Sequence, residues 1–247
     1  MLKTLEIIAK KAGDIILEYY DISEIDISIK SDGSPVTKAD LGSEKYIVSQ
    51  LKKHFSFPIV TEETPIASEE RMKWKSYWLI DPLDGTMDFI EKNDEFTVNI
   101  ALIQNNQPII GVVFAPALNI MYVGQNNHGA YKNGCRIFNH SVRTEYIGAD
   151  SRHNSSIQTS DFFKKNNMKE VLRVGSSLKL CYLAEGLIDV YPRFNGTKEW
   201  DTAAAHIICK EAECKIIDIN TKKELMYNKK SIKNNYFIAS RNNLSFL

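Results

Sequence analysis

The sequence lacks a long apolar run, a net charge, paired cysteines and an internal repeat, and each absence removes a class of protein. Its longest apolar stretches, such as PIIGVVFAPAL at 108–118, fall well short of the roughly 20 residues that cross a bilayer. The opening MLKTLEIIAKKAGDIILEYY is broken by Lys3, Glu6, Lys10, Lys11 and Asp14. That is the pattern of an amphipathic helix, not of a signal peptide with its unbroken apolar centre. Lys+Arg and Asp+Glu both total 31, a formal balance of zero. A zero balance leaves no general footprint for a nucleic acid partner, although it permits a local basic pocket. The cysteines at 135, 181, 209 and 214 form no Cys-x-x-Cys pair and none stands at zinc spacing from a histidine. Reduced thiols and a cytoplasmic location are expected, with a peripheral position at the inner face of the cell membrane left open.

What is present is a globular composition, 43% hydrophobic and 25% charged over 247 residues, enough to bury a sizeable core. Leu5, Ile8, Ala12, Ile15 and Tyr19 recur at helical steps. KSDGSPVTKAD at 30–40 supplies a Gly/Pro turn, and Asp40 leads into a second helical stretch. A short PIV strand, a Glu-rich segment and a WLID strand follow. TVNIALI, PIIGVVFAP and NIMYVG then read as strands, and GAYKNG as a hairpin on its Asn-Gly pair. From about residue 145, short strands alternate with helices, α/β grammar after an α+β first half. The polar stretch 139–170 is a candidate seam between subdomains 1–142 and 143–247 of a single unit. The lysines at 222, 223, 229, 230 and 233 read as a solvated face.

Three acidic clusters stand where apolar elements begin or end: Glu62-Glu63, Asp81-Pro82-Leu83-Asp84-Gly85-Thr86, and Glu199-Trp200-Asp201-Thr202. Element ends bring distant side chains to one cleft. Pro82 is expected to stop the strand between the two acids, and Gly85 to permit close backbone approach. Thr86 can open a helix whose free N–H groups at Gly85 and Thr86 meet an anion. Carboxylates beside free amides suit a cation together with a phosphate, and hard oxygen donors of this kind suit Mg²⁺. Each cluster also has an ordinary reading: Asp201 as a helix cap, Glu62-Glu63 as surface, Asp81–Gly85 as a turn. Haloacid-dehalogenase-type phosphatases carry Asp-x-Asp-Gly-Thr near the N-terminus. Here two residues separate Asp81 from Asp84, which points to activated water and away from an aspartyl nucleophile.

WLIDPLDGTMDFI, preceded by Glu62-Glu63 and followed by EWDTAAAH, resembles the lithium-sensitive, magnesium-dependent phosphatases of the inositol monophosphatase superfamily. NDEFTVNIALI, PIIGVVFAPALNIMYVG and GSSLKLCYLAEGLIDVYPRF bring the likeness closer to bacterial 3′(2′),5′-bisphosphate nucleotidases of CysQ type. It runs from about residue 5 to 240. The fold this implies is the layered α-β-α-β-α sandwich of the inositol monophosphatase and fructose-1,6-bisphosphatase type.

The resemblance implies two or more Mg²⁺ ions held by Glu62, Asp81, the Leu83 carbonyl, Asp84 and Asp201. It implies that Thr86, partnered by Asp40, helps to activate the attacking water, with Glu62 also in the catalytic set and Glu63 in support. Glu62, Leu83, Asp84, Gly85, Thr86 and Asp201 would meet the substrate, and Gly175 and Lys179 the nucleotide. The implied reaction removes the 3′-phosphate of adenosine 3′,5′-bisphosphate, giving AMP, in the recycling of by-products of sulfur assimilation. Its partner is a small nucleotide bisphosphate, and the protein a monomer or homodimer.

The sequence departs from the family pattern at Ser151-Arg152-His153-Asn154, where the histidine is shifted by one, and at Met87, where lysine is frequent. His153 reads equally as structural or as a base contact. Arg193 reads equally as a second-phosphate contact or as the partner of a surface acid. An inositol or sugar phosphatase is the nearest alternative, and an idle regulator that binds metal and phosphate without turnover a more distant one.

Overall fold

The computed structural model describes residues 1–22, 26–30, 33–244 and 246. The chain opens with helix α1 (Leu2–Tyr20) and a small antiparallel pair, β1 (Ile27–Ile29) and β2 (Pro35–Thr37). The turn expected between them includes residues 31 and 32, which lie outside the described residues. Helix α2 (Lys38–His54) follows, then β3 (Ile59–Thr61), the short α3 (Ser68–Arg71) and β4 (Ser76–Asp84). After the single-turn α4 (Thr86–Ile90) comes a meander: β5 (Thr97–Gln104), β6 (Gln107–Ala115), β7 (Ile120–Gln125), β8 (Gly129–Lys132) and β9 (Cys135–Ile137). The second half runs β10 (Ile147–Ser151), α5 (Ile157–Lys165), β11 (Glu170–Val174), α6 (Leu178–Ala184) and β12 (Val190–Arg193). It ends with α7 (Glu199–Glu211), β13 (Cys214–Asp218) and β14 (Phe237–Arg241).

Strands β3 to β9 form a seven-stranded sheet in sequence order, while β11-β10-β12-β14-β13 form a five-stranded one. Helices α1 and α2 cover the outer face of the larger sheet, α6 and α7 fill the space between the sheets, and α5 packs outside the smaller sheet. The layers are α-β-α-β-α. With both faces covered, β4 cannot alternate polar and apolar residues. Tyr77 and Leu79 enter the core shared with α7, whereas Trp78 and Ile80 enter the core under α1. Helix α7 lies nearly in backbone contact with the larger sheet. A Cβ at Gly111 would stand 2.1 Å from the Ala204 carbonyl, and one at Gly124 2.8 Å from the Ile208 Cα. This approach carries the start of α7, in the second half of the chain, to the strands of the first.

Several expectations need correcting. The expected boundary at 142/143 falls between β9, the last strand of the larger sheet, and β10, the first of the smaller, but the stretch 139–170 is not all connection: it supplies β10 and α5. Its strand is short and carries Gly148, whose missing side chain makes room for Phe163, so an apolar pattern was not there to read. The buried seam of α1 passes through Ile16 and Tyr20; Ile15 and Tyr19 turn toward Gly42 of α2 instead. Helix α2 begins at Lys38, before Asp40, because Thr37 caps it and Asp40 completes the capping box from the third position. Lys229 is not solvated surface, since its ammonium lies 2.6 Å from the fully buried Glu199 carboxylate. The Asn-Gly hairpin forms as expected, with Asn133 and Gly134 both at positive φ between β8 and β9. All four cysteines are free thiols.

Candidate active site

A cavity of about 650 Å³ opens where β4 ends, between the acidic loops of the first half and the start of α7. Glu62, Glu63, Asp81, Leu83, Asp84, Gly85, Thr86, Lys179 and Asp201 all line it; Asp40 and Gly175 do not.

Local backbone chemistry sets the acids. Strand β4 does not stop at Pro82 as expected: it continues to Asp84, opposite Thr97, through a register shift between Asp81 and Asp84. A bulge tolerates proline because the missing N–H has no ladder partner to lose. Within it the Leu83 amide donates to Asp81 Oδ1 at 3.1 Å. Asp84 Oδ2 accepts from the Ser177 amide at 2.6 Å and from Asn99 Nδ2 at 3.2 Å. Gly85 then turns the chain at φ 89°, and a Cβ there would crowd Asp88 and the Glu95 carbonyl at 3.1 and 3.2 Å. Only glycine meets both demands cheaply. Thr86 opens α4 and donates its hydroxyl to Asp40 Oδ1 at 3.2 Å, while Asp40 Oδ2 accepts from the Thr37 amide and hydroxyl. Asp201 sits at the third position of α7, not at its cap, and accepts from the Lys198 amide at 2.9 Å.

The electrostatics of this wall are those of an anionic cluster short of positive charge. Asp81 is 1% exposed, and desolvation, then the nearby Glu62, Asp84 and Asp201, hold its carboxyl well above the usual range. Desolvation followed by Asp84 and Glu62 pushes Asp201 up to about 8. Asp84 is pushed to about 6 by desolvation, against the pull of Lys179 and its two hydrogen bonds. Lys30 places its ammonium 2.8 Å from Glu62 Oε1 and 2.5 Å from Glu63 Oε1, yet burial still pushes Glu63 up to about 7. Among the described residues no three such side chains already close on one point as a finished metal site; the carboxylates share the cavity while repelling one another. A divalent cation relieves that repulsion, and an all-oxygen donor set is the one that suits Mg²⁺. The residues fit the ion.

The opposite wall comes from the second half. Lys179, 5% exposed, donates to the Val174 carbonyl at 3.1 Å and to that of Ser176, and burial pushes its ammonium down to about 8. Arg193 is 7% exposed and donates to the carbonyls of Asn195, Asn154 and Gly196. It is therefore no partner of a surface acid. His153 Nε2 lies 3.1 Å from Asp88 Oδ1 and 3.5 Å from Glu91. Gly175 stands behind the wall: its amide donates to Glu95 at 2.7 Å, and a Cβ there would strike the Asp88 carboxylate. Sequence reasoning passed over Lys30 and Asp88, both of which line the cavity. Asp88 lies two residues beyond Thr86, within the same motif. For Lys30, in a turn-like stretch, no local signal existed.

The model of the inositol monophosphatase family matches residues 1–244. The chain is 39% identical over 221 residues to the 3′(2′),5′-bisphosphate nucleotidase CysQ of Escherichia coli K12, with 85% of this chain and 87% of that protein covered. It is 34% identical over 231 residues to the corresponding nucleotidase of Haemophilus influenzae, covering 88% and 84%. Among solved structures, CysQ from Bacteroides thetaiotaomicron superposes with a TM-score of 0.89 at 34% identity, over 98% of this chain and 97% of that one. An inositol monophosphatase from Thermotoga maritima gives 0.81 at 27%, over 96% and 90%. With the layered fold and the acid-lined cavity already in place, these likenesses make the chain a member of the inositol monophosphatase family.

Proposed function

We propose that this protein hydrolyses the 3′-phosphate of adenosine 3′,5′-bisphosphate to AMP and phosphate, with Mg²⁺ held by Glu62, Asp81, the Leu83 carbonyl, Asp84 and Asp201. The observation that carries the reading is one cavity lined both by these acids and by Lys179 and Arg193, in a chain 39% identical to a 3′(2′),5′-bisphosphate nucleotidase. A cavity of about 650 Å³ lies within the range of small-molecule sites.

Phosphate monoester hydrolysis without catalysis is among the slowest reactions of biology, so well over about 10 kcal/mol of barrier must be removed. Bound Mg²⁺ supplies Lewis acidity, lowering the pKa of water and offsetting charge on the phosphoryl and leaving oxygens. The protein does the rest. Because the Thr86 hydroxyl donates to Asp40, its oxygen is free to accept a hydrogen bond from a water beside it. Asp40 is 1% exposed and its carboxyl is raised by burial, which suits it to take the hydroxyl's own proton as Thr86 takes one from the water. Glu62, Asp81, Asp84 and Asp201 would hold the ion, while Lys179 and Arg193 offer charge to the second phosphate of the nucleotide. Asn99 and the Ser177 amide fix the rotamer of Asp84, and so the direction of its free lone pairs.

The test is phosphate release from adenosine 3′,5′-bisphosphate and from inositol 1-phosphate, side by side, with Mg²⁺ and with or without Li⁺. Strong preference for the nucleotide, suppressed by lithium, is expected. Preference for inositol 1-phosphate would keep the acid wall and remove the nucleotide; turnover of neither would favour a regulator that binds without reacting.

A further inference from the structure

The acids of the first half stand at a bulge and in a turn, and one helix reaches both. Asp40 and Ser43 of α2 share the buried face with Ile47 and Leu51, and the half-buried Glu44 stands at its edge, as helical spacing of three and four allows. Asp40 accepts from Thr86. Ser43 is 0% exposed and donates its hydroxyl to the Pro82 carbonyl at 2.8 Å. Glu44 Oε1 accepts from the hydroxyls of Thr61 and, at 2.9 Å, Thr64.

Each of the last two contacts is unusual for its place. A serine buried within a helix ordinarily gives way to alanine, or bonds back to its own helix. Here its donor crosses to a residue 39 positions away. The acceptor is the carbonyl inside the bulge between Asp81 and Asp84, where the register shift interrupts the pairing of β4 with β5. An unpaired buried carbonyl is costly, so Ser43 holds the bulge in one geometry. Glu44 closes the turn in which Thr61 Oγ1 also accepts from the Thr64 amide, with Glu62 and Glu63 inside that turn. Neither Ser43 nor Glu44 lines the cavity.

We infer that α2 is the gauge of the acidic wall: Ser43 and Glu44 are positioning residues that set where Asp81, Asp84 and Glu62 stand for divalent cation binding. The inference rests on the metal-dependent reading of the site given above. Residues supporting metal ligands from behind typically change metal affinity by about 10- to 100-fold when removed.

Mg²⁺ titration by calorimetry on the whole protein without substrate, paired with the melting temperature of the metal-free variants, tests it. Ser43→Ala and Glu44→Ala should each weaken Mg²⁺ by about 10-fold or more. Glu44→Gln, which keeps both the bulk and the accepting oxygen, should stay close to wild type, whereas Glu44→Met, which keeps the bulk alone, should weaken Mg²⁺ as the alanine variant does. Should Ser43→Ala fail to fold, the Glu44→Ala and Glu44→Gln pair carries the test alone. If wild type binds Mg²⁺ and both alanine variants bind it equally well, the gauge is wrong, whatever happens to the melting temperature. If wild type binds no Mg²⁺ at all, the metal-dependent reading falls first and this inference with it.

Discussion

Glu199 and Asp201 stand two residues apart in the first turn of α7 and have opposite surroundings. Glu199 is 0% exposed and fully answered: it accepts from the Asn228 and Lys229 amides and from the Lys229 ammonium. Asp201 meets one amide, and desolvation followed by Asp84 and Glu62 pushes it up to about 8 against the weaker pull of Arg193. Both acids belong to one sequence cluster. One is answered within the fold, and the other is left short of positive charge. A related division runs through the cavity lining: desolvation and mutual repulsion hold Asp81, Asp84 and Asp201 up despite their few amide contacts and the pull of Lys179 on Asp84, while Lys179 and Arg193 donate to backbone carbonyls. An acid that a fold leaves short of partners marks function more surely than an acid that is merely buried.

This contrast is open to direct attack. The largest effect is expected at the acid wall. Asp84→Asn should lower turnover by on the order of 10³-fold or more, since metal contributes several kcal/mol to the transition state. Its melting temperature without metal should not fall, because removing one charge relieves repulsion. Near-normal turnover would break the assignment. Glu199→Ala should do the reverse, costing about 3 kcal/mol or more in urea unfolding by stranding Lys229 beside a buried void. Should Glu199→Ala unfold no more readily than wild type, the buried pair is not what fixes the start of α7.

An effect of intermediate size concerns pH. The carboxyls of Asp81, Asp84 and Asp201 are raised in the folded state, so folding gains from them at low pH and loses that gain as pH rises toward about 8. Buried His206, held below its ordinary value by desolvation, works the other way below about 6.5. The metal-free protein should therefore melt at progressively lower temperature from about pH 6.5 to 8, by a few degrees. Mg²⁺ should restore more at pH 8 than at pH 5, and Asp201→Asn should flatten the profile. A metal-free profile that rises over this window would contradict the sign. The smallest effect is expected on the far wall: Lys179→Met should raise KM for the nucleotide by about 10-fold and change kcat less, the mark of a binding contact. A loss confined to kcat would move Lys179 into the chemistry.

The acids were legible in the sequence because each sits where an apolar run ends, and Gly85 because a carboxylate pair followed by glycine has few structural uses. The layers followed from the family likeness; the strands around Trp78, Val98 and Val112 were readable as short apolar runs bounded by turns. Strand β10 was not, because Gly148 and Asp150 interrupt its pattern and its burial depends on α5 and on partners beyond residue 170. Lys30 and Ser43 were equally silent. A lysine beside a turn and a serine within a helix have ordinary local explanations, and only the folded chain shows that one ends on Glu62 and the other on Pro82. Gly175 and Lys179 show the converse limit. A likeness marks positions near a ligand, but whether a side chain reaches the cavity or the loop behind it is decided by packing.

The most direct measurement of the central claim is calorimetric titration of the metal-free protein with Mg²⁺ at pH 8, repeated in buffers of different ionisation enthalpy. Saturable binding with release of protons is expected, because the cation displaces the proton that Asp201, pushed up to about 8, still half retains at that pH. Binding should weaken sharply in Asp81→Asn. No saturable binding, or binding undiminished in that variant, would show that the acidic wall is not where the metal goes.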